Sequence, residues 1–203
     1  MKTLKTISAL AVSALIAATS YGANYSFTGN LAGDNDVQLF NFTVGAASTV
    51  TLRTWSYAGG TDAAGDLIAE GGFDPILALF NSTGQFISQN DDGGNLVAAD
   101  SVTGAHYDTY LSSVLSAGDY TVAVMQYANF AIGPNLSSGF QGSGTTNFRD
   151  VTGHLRTSAW EFDILNVAQA STTGVPDGGD SLLLVSAGLG LILFTKRLSR
   201  MFC

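Results

Sequence analysis

The sequence lacks most of the residues on which cysteine enzymes, histidine enzymes and disulfide-stapled domains depend. Its single cysteine, Cys203, is the last of 203 residues, so an intramolecular disulfide and a cysteine nucleophile in the body of the chain are both excluded. Only two histidines are present, His106 and His154, and neither lies near a Gly-x-Ser-x-Gly turn. Two distant histidines without a usable thiolate also argue against a zinc site.

Positive charge is missing from the middle of the chain. Residues 24–168 contain no lysine and only three arginines, Arg53, Arg149 and Arg156, against 14 acidic residues, a formal charge near −11. The other five basic residues lie in the two ends of the chain. Such a surface repels nucleic acid and anionic lipid and attracts divalent cations, so nucleic-acid binding is excluded as a function.

Glutamate is scarce too, since Glu70 and Glu161 are its only occurrences. Glycoside hydrolysis needs a pair of carboxylates on either side of the scissile bond. Most aspartates of this chain lie in turn contexts, where Asp is common because its side chain bonds to the local backbone. The sequence therefore favours a protein that is not an enzyme.

Both ends of the chain are predicted to be targeting segments. Residues 1–23 begin with Lys2 and Lys5, continue through an apolar stretch over residues 7–18 and finish on small residues, as a secretory signal peptide does. Removing both ends leaves a body at residues 24–168, about 145 residues, which is a common size for one domain. We expect this domain to be exported.

The body of the chain has the pattern of β-structure. Short runs of β-branched and aromatic residues, many alternating with polar residues, are divided by Gly, Asn and Asp clusters. This predicts an all-β fold, an antiparallel β-sandwich or jelly roll, with helix only at the two ends and a helical turn near residues 62–68. Two long loops, residues 91–104 and 133–146, have a length typical of functional or cation-bound loops. The predicted strands lie at residues 25–27, 40–44, 50–57, 76–80, 86–90, 107–115, 120–127 and 160–167.

The C-terminal end has three features in order. Small polar residues over 169–174 predict a flexible linker, and a turn-forming Val175-Pro176-Asp177-Gly178-Gly179 follows it. Residues 181–195 predict a short transmembrane helix of about 22 Å, which is less than the ~30 Å hydrocarbon core and needs bilayer thinning or snorkelling to cross. The basic end is expected in the cytoplasm; it consists of Lys196, Arg197 and Arg200.

This tail, residues 175–203, resembles the VPDGG variant of PEP-CTERM sorting tails. The resemblance implies recognition by an exosortase-type membrane enzyme, cleavage near residues 175–179, and release or re-attachment of the body at the cell surface. Such tails accompany extracellular polysaccharide in Gram-negative bacteria. A permanent single-span anchor remains the alternative.

The body resembles the bacterial pre-peptidase C-terminal type of β-sandwich. Three stretches carry the resemblance: a polar turn into a strand at residues 31–44, the run from Phe73-Asp74-Pro75 to Asp91-Asp92-Gly93-Gly94, and a glycine turn into a late strand at residues 115–122. Domains of this type usually lack catalysis and serve secreted proteins in folding, targeting or binding. The resemblance therefore implies a non-enzymatic module of the cell envelope or extracellular matrix.

A calcium site is predicted from the acidic loop. Asp91 and Asp92 stand beside flexible glycines, and Asp74 precedes the strand expected to pair with the strand before them. Asp108 begins the strand that leaves the loop. Ca²⁺ takes six to eight oxygen ligands from carboxylates, carbonyls and water, so these four aspartates are predicted ligands. The alternative is that this loop is a solvated turn.

Carbohydrate binding is the second predicted function. Aromatic rings on a β-sandwich can stack on sugars, and a module of this kind would attach the protein to exopolysaccharide. Aromatic residues at strand positions are also frequent in cores, so the core remains the alternative. The candidate rings are Trp55, Tyr57, Tyr107, Tyr110, Tyr127 and Trp160.

Overall fold

Residues 22–173 are described by a computed structural model, and they form eleven strands and three short 3-10 helices. The 3-10 helices are Gly94–Leu96, Leu136–Ser138 and Thr146–Phe148. The strands are β1 (Ala23–Asn30), β2 (Val37–Val44), β3 (Ser48–Thr54), β4 (Gly60–Thr61), β5 (Leu67–Ile68), β6 (Pro75–Asn81), β7 (Phe86–Asn90), β8 (Tyr110–Leu115), β9 (Gly118–Gln126), β10 (Ala159–Val167) and β11 (Gln169–Thr172).

Two antiparallel sheets and one small hairpin organise these strands. The first sheet has the order β1-β10-β3-β8 and the second has the order β11-β2-β9-β6-β7. β4 and β5 pair only with each other. The predicted all-β antiparallel sandwich is confirmed for residues 22–173, where no α-helix occurs.

The main core lies between the inner faces of the two sheets. Phe40, Phe42 and Val44 alternate along β2 and are buried, and Trp160, Phe162 and Ile164 do the same on β10. The Phe40 ring packs 4.9 Å from Phe162 and at a right angle to Trp160. The alternating apolar residues therefore mark the face of each strand that meets the other sheet.

Strand β6 differs because both of its faces bury apolar side chains. Leu77 and Leu79 belong to the main core, whereas Ile76, Ala78 and Phe80 form a second apolar cluster on the opposite face. Side chains of the long loop after β9, including Phe130, Leu136 and Phe140, pack against that second cluster. Burial on both faces explains why residues 76–80 are continuously apolar.

Three local predictions are wrong. Residues 169–172 form β11 rather than a linker, because an edge strand of small polar residues needs only backbone pairing with β2, and Ala170 lies opposite Phe42. Residues 62–68 contain the turn and second strand of the β4–β5 hairpin instead of a helical turn. β8 starts at Tyr110 and not at Tyr107.

The predicted targeting segments lie outside the described residues, apart from residues 22 and 23. This applies to the signal peptide, the Val175-to-Gly179 motif, the helix over residues 181–195 and the basic end. Within residues 22–173, no helix has the length and hydrophobicity needed to span a membrane.

Candidate metal centre

The β6–β7 hairpin brings three of the four predicted calcium ligands together. Asp74 directly precedes β6, and Asp91 directly follows β7. The two strands are antiparallel, with Leu77 opposite Asn90, so the start of one lies beside the end of the other. The carboxylate oxygens of Asp74, Asp91 and Asp92 approach within 4.8 Å of one another.

Two of these carboxylates have oxygens that the protein leaves without a partner. Asp74 is 4% exposed, and its Oδ1 accepts no hydrogen bond. Asp91 is half-buried, and its Oδ1 is buried and unbonded as well. An unpaired buried carboxylate is costly unless it is protonated or neutralised by a cation. The arrangement therefore suits a hard cation, which could bind the buried oxygens of Asp74 and Asp91 and the exposed carboxylate of Asp92.

The pKa values of the three carboxyl groups respond to this crowding. Burial, followed by the charges of Asp91 and Asp92, raises the pKa of Asp74 to about 9. Burial, followed by the charge of Asp92, raises the pKa of Asp91 to about 6. The pKa of Asp92 is also raised by burial. Burial is the largest cause of all three shifts, and neighbouring negative charge adds to it at Asp74 and Asp91.

The loop that carries Asp91 and Asp92 is fixed by its neighbours. Asn90 Oδ1 accepts the backbone N–H of Tyr110 at 2.9 Å, and Asn90 Nδ2 donates to the carbonyl of Asp92 at 3.1 Å. Gly93 N donates to the carbonyl of Asp108 at 2.7 Å. A Cβ on Gly93 would lie 2.9 Å from that carbonyl oxygen, so a larger residue would displace the loop. The loop is thus held by the Asn90 side chain and by a backbone hydrogen bond to the segment before β8.

Asp108, the fourth predicted ligand, is used differently. It is 2% exposed, and its Oδ1 accepts bonds from Thr54 Oγ1 at 2.9 Å and from the Tyr57 N–H at 3.0 Å. Its Oδ2 accepts the N–H of Ala58 at 2.8 Å. Burial raises the pKa of Asp108 while these hydrogen bonds oppose the shift. Its carboxylate braces the turn after β3 and lies outside the group of three.

One arginine neutralises the neighbouring aspartates but not the candidate ligands. Arg156 donates from Nη1 and Nη2 to Asp100 at 2.9 and 3.0 Å, and from Nε to Asp150 at 2.9 Å. Its guanidinium also stacks 3.8 Å from the Tyr57 ring. Ion pairs among residues 22–173 involve only Arg156 and His154, so no cationic side chain pairs with Asp74, Asp91 or Asp92.

The aromatic residues do not form one exposed platform. Tyr57 is fully buried, and its hydroxyl donates to Asp150 Oδ2 at 2.8 Å. Trp160 is 6% exposed and belongs to the core. Trp55 is partly buried, with the Arg53 guanidinium 3.6 Å from its ring centre. The prediction of exposed rings is wrong for Tyr57 and Trp160. The other three rings are partly buried; they are Tyr107, Tyr110 and Tyr127.

A second carboxylate group was missed in the sequence. Asp62, Glu161 and Asp163 are all buried, and their oxygens also lie within 4.8 Å of one another. Glu161 and Asp163 alternate with the core residues of β10, which predicts an exposed face rather than a buried one. The group can be recognised only in the structure, because the chain after β3 covers that face of β10.

Comparison with protein-family models and with curated proteins found no match. Among solved structures, the chain is similar to the pre-peptidase C-terminal domain of a collagenase from Bacillus anthracis, with a TM-score of 0.35 and 9% identity. The match covers 74% of this chain and 90% of that one. That domain is of the type that the body of the sequence resembles, but a similarity this weak gives no information about what the present chain binds.

Proposed function

We propose that the chain is an exported, non-enzymatic β-sandwich protein of the cell envelope or extracellular matrix, whose fold is stabilised by Ca²⁺ bound between Asp74, Asp91 and Asp92. The observation that carries the calcium assignment is the Asp74 carboxylate. It is 4% exposed, its Oδ1 lacks a hydrogen-bond partner, and two further carboxylates lie against it. A divalent cation would satisfy all three groups at once.

Calcium fits this site better than magnesium or zinc. The ligands offered are carboxylate oxygens on an irregular loop, and Ca²⁺ accepts many oxygens in a flexible geometry. Mg²⁺ demands a near-ideal octahedron and retains its waters. Zn²⁺ prefers imidazole and thiolate ligands, and the group contains neither.

Binding to the folded state alone would stabilise the fold by mass action. At a free calcium concentration one hundred times Kd, the free energy of unfolding rises by about 2.7 kcal/mol. For a domain of this size, each kcal/mol moves Tm by about 2–4 °C. This stabilisation would offset the charge repulsion within a body of formal charge near −11 that has no disulfide.

The test is thermal unfolding of the full chain in excess calcium, in magnesium and in chelator at matched ionic strength. We expect a calcium-specific rise in Tm that is absent from the Asp91→Asn/Asp92→Asn variant. Asp36→Asn/Asp119→Asn is the matched control, since it removes the same charge from two exposed positions. Equal Tm values in calcium and chelator for the wild type would refute the calcium assignment.

Export and sorting rest on the two ends of the sequence. The proposed partners are an exosortase-type processing enzyme, the membrane through residues 181–195, and exopolysaccharide as the surrounding matrix. Deleting residues 175–203 should move the body from the membrane fraction to the periplasm or the medium. If the full-length protein is already soluble with Lys196 still present, the sorting proposal fails.

A further inference from the structure

Three buried carboxylates lie together at the outer face of the first sheet, in a group separate from Asp74, Asp91 and Asp92. Glu161 and Asp163 alternate on β10 with Trp160 and Phe162, which point into the core. Glu161 and Asp163 nevertheless are each 1% exposed. The chain between β3 and β6 lies over them and contributes Asp62, which is 7% exposed.

The three carboxylates differ in how the protein satisfies them. Asp163 accepts bonds from Ser26 Oγ at 2.5 Å, from Trp55 Nε1 at 2.8 Å and from the Ala63 N–H at 3.1 Å. Asp62 Oδ1 accepts the N–H of Asp66 at 2.8 Å. Two of the three groups are therefore oriented by neutral donors.

Glu161 has no donor at all. Both of its carboxylate oxygens are buried and accept no hydrogen bond from the protein. Native structures rarely leave a buried polar group unsatisfied, and such a group calls for an ion, a proton or a water. Glu161 also lines a surface cavity of about 470 Å³ together with Thr28, Ile68 and Glu70. The group therefore lies beside a cavity that opens to solvent.

The nearest cationic candidate does not neutralise the group. Arg53 lies opposite Asp163 across the β10–β3 pair. Its guanidinium stacks on the Trp55 ring at 3.6 Å, its Nε has no hydrogen-bond partner, and it forms no ion pair with any of the three carboxylates. The negative charge of the group is thus left to an external partner.

We propose that Asp62, Glu161 and Asp163 form a second site for a hard divalent cation, Ca²⁺ by its ligand chemistry, independent of the Asp74 site. A cation there would bind the Glu161 oxygens that the protein leaves free. It would also tie the β4–β5 hairpin, which pairs with no other strand, to the centre of the first sheet. The second site would hold a surface hairpin in place, whereas the first holds the β6–β7 end of the sandwich.

A proton is the competing occupant. Burial, followed by the charge of Asp163, raises the pKa of Glu161 to about 10, and a protonated Glu161 could donate to Asp163. In that case the group would be complete without a metal. The experiment therefore has to detect an ion at this position directly.

Terbium luminescence makes that distinction, because Tb³⁺ replaces Ca²⁺ at oxygen sites and emits when an excited aromatic ring lies close to it. The Trp55 indole donates to Asp163, so light absorbed by tryptophan alone should excite terbium bound here. At the Asp74 site the neighbouring ring is a tyrosine, Tyr107, whose pKa is raised by burial and then by the charge of Asp74. When the full chain is titrated with terbium, tryptophan-sensitised emission should appear, and excess calcium should abolish it.

The variants separate this proposal from the first site. Glu161→Gln should abolish the tryptophan-sensitised emission at a terbium concentration that saturates the wild type, and Asp36→Asn should leave it unchanged. The emission should persist in Asp91→Asn/Asp92→Asn even if the Asp74 site is lost. If Glu161→Gln fails to fold, Asp62→Asn serves in its place, since an amide oxygen can still accept the Asp66 N–H.

The results that would overturn the proposal are equally specific. They are the absence of tryptophan-sensitised emission from the wild type, its persistence in Glu161→Gln, or its loss in Asp91→Asn/Asp92→Asn. The first two would assign the group to a proton on Glu161. The third would assign the signal to the Asp74 site.

Discussion

Replacing Arg156 with methionine should strongly destabilise the protein. Arg156 has 4% of its side chain exposed, and the carboxylates of its two partners, Asp100 and Asp150, are fully buried. The guanidinium makes three hydrogen bonds to them and covers the Tyr57 ring. Methionine fills a similar volume but leaves both carboxylates without a cation.

The expected cost follows from these contacts. Removing one partner of a buried ion pair typically costs about 3–5 kcal/mol, because an uncompensated charge stays behind. Thr103 and Thr152 still donate to Asp100 and Asp150, which keeps the loss near the lower end of that range. The lost cation–π contact adds about 0.5–2 kcal/mol. We expect a loss of about 4 kcal/mol, a large part of a typical stability of about 5–15 kcal/mol.

The assay is equilibrium unfolding of the full chain by denaturant, with thermal unfolding beside it. At about 2–4 °C per kcal/mol, Tm should fall by about 8–16 °C. Arg149→Met is the matched control, because Arg149 is exposed and its guanidinium contacts only the carbonyl of Gly153. Arg156→Lys keeps the positive charge but loses the planar guanidinium that bonds both aspartates, so its unfolding midpoint should lie between those of Arg156→Met and Arg149→Met. Equal midpoints for Arg156→Met and Arg149→Met would refute the reasoning.

Two further predictions concern acid and sugar. Hydrogen bonds from Arg156 and Thr103 outweigh burial and lower the pKa of Asp100 to about 2, and the pKa of Asp150 is lowered as well. Their contribution to stability should be complete above the ordinary Asp pKa of about 3.9 and disappear as pH falls towards 2, as acid unfolding monitored by circular dichroism can show. Because an arginine already stacks on the Trp55 ring, folded Trp55→Ala should be retained on the producer's exopolysaccharide as well as the wild type; release of the variant alone would support the sugar-binding alternative.

The sequence predicted the parts of the fold that depend on one-sided burial. Alternation at Phe40, Phe42 and Val44 marks β2 because one face meets the core and the other does not. β11 was mistaken for a linker, since an edge strand can be held by backbone bonds to β2 without apolar side chains of its own.

Only the contacts of the candidate site that lie within the β6–β7 hairpin could be predicted from the sequence. Asp74 and Asp91 meet because a short hairpin joins β6 to β7, and a hairpin can be recognised from its turn residues. The role of Asp108 depends on backbone N–H groups of the turn after β3, which lie 50 and 51 residues earlier in the chain. Likewise, Glu161 occupies a position expected to face solvent, and only the loop carrying Asp62 buries it. Contacts made by distant loops leave no periodic signal in the sequence.

Direct calcium titration of the full chain by calorimetry tests the central claim. We predict that wild-type protein binds calcium and that Asp91→Asn/Asp92→Asn binds one ion fewer per chain. The Asp36→Asn/Asp119→Asn control should match the wild type, which separates a bound ion from attraction to overall negative charge. A binding isotherm that is the same in the wild type and in Asp91→Asn/Asp92→Asn would contradict a calcium ion held between Asp74, Asp91 and Asp92.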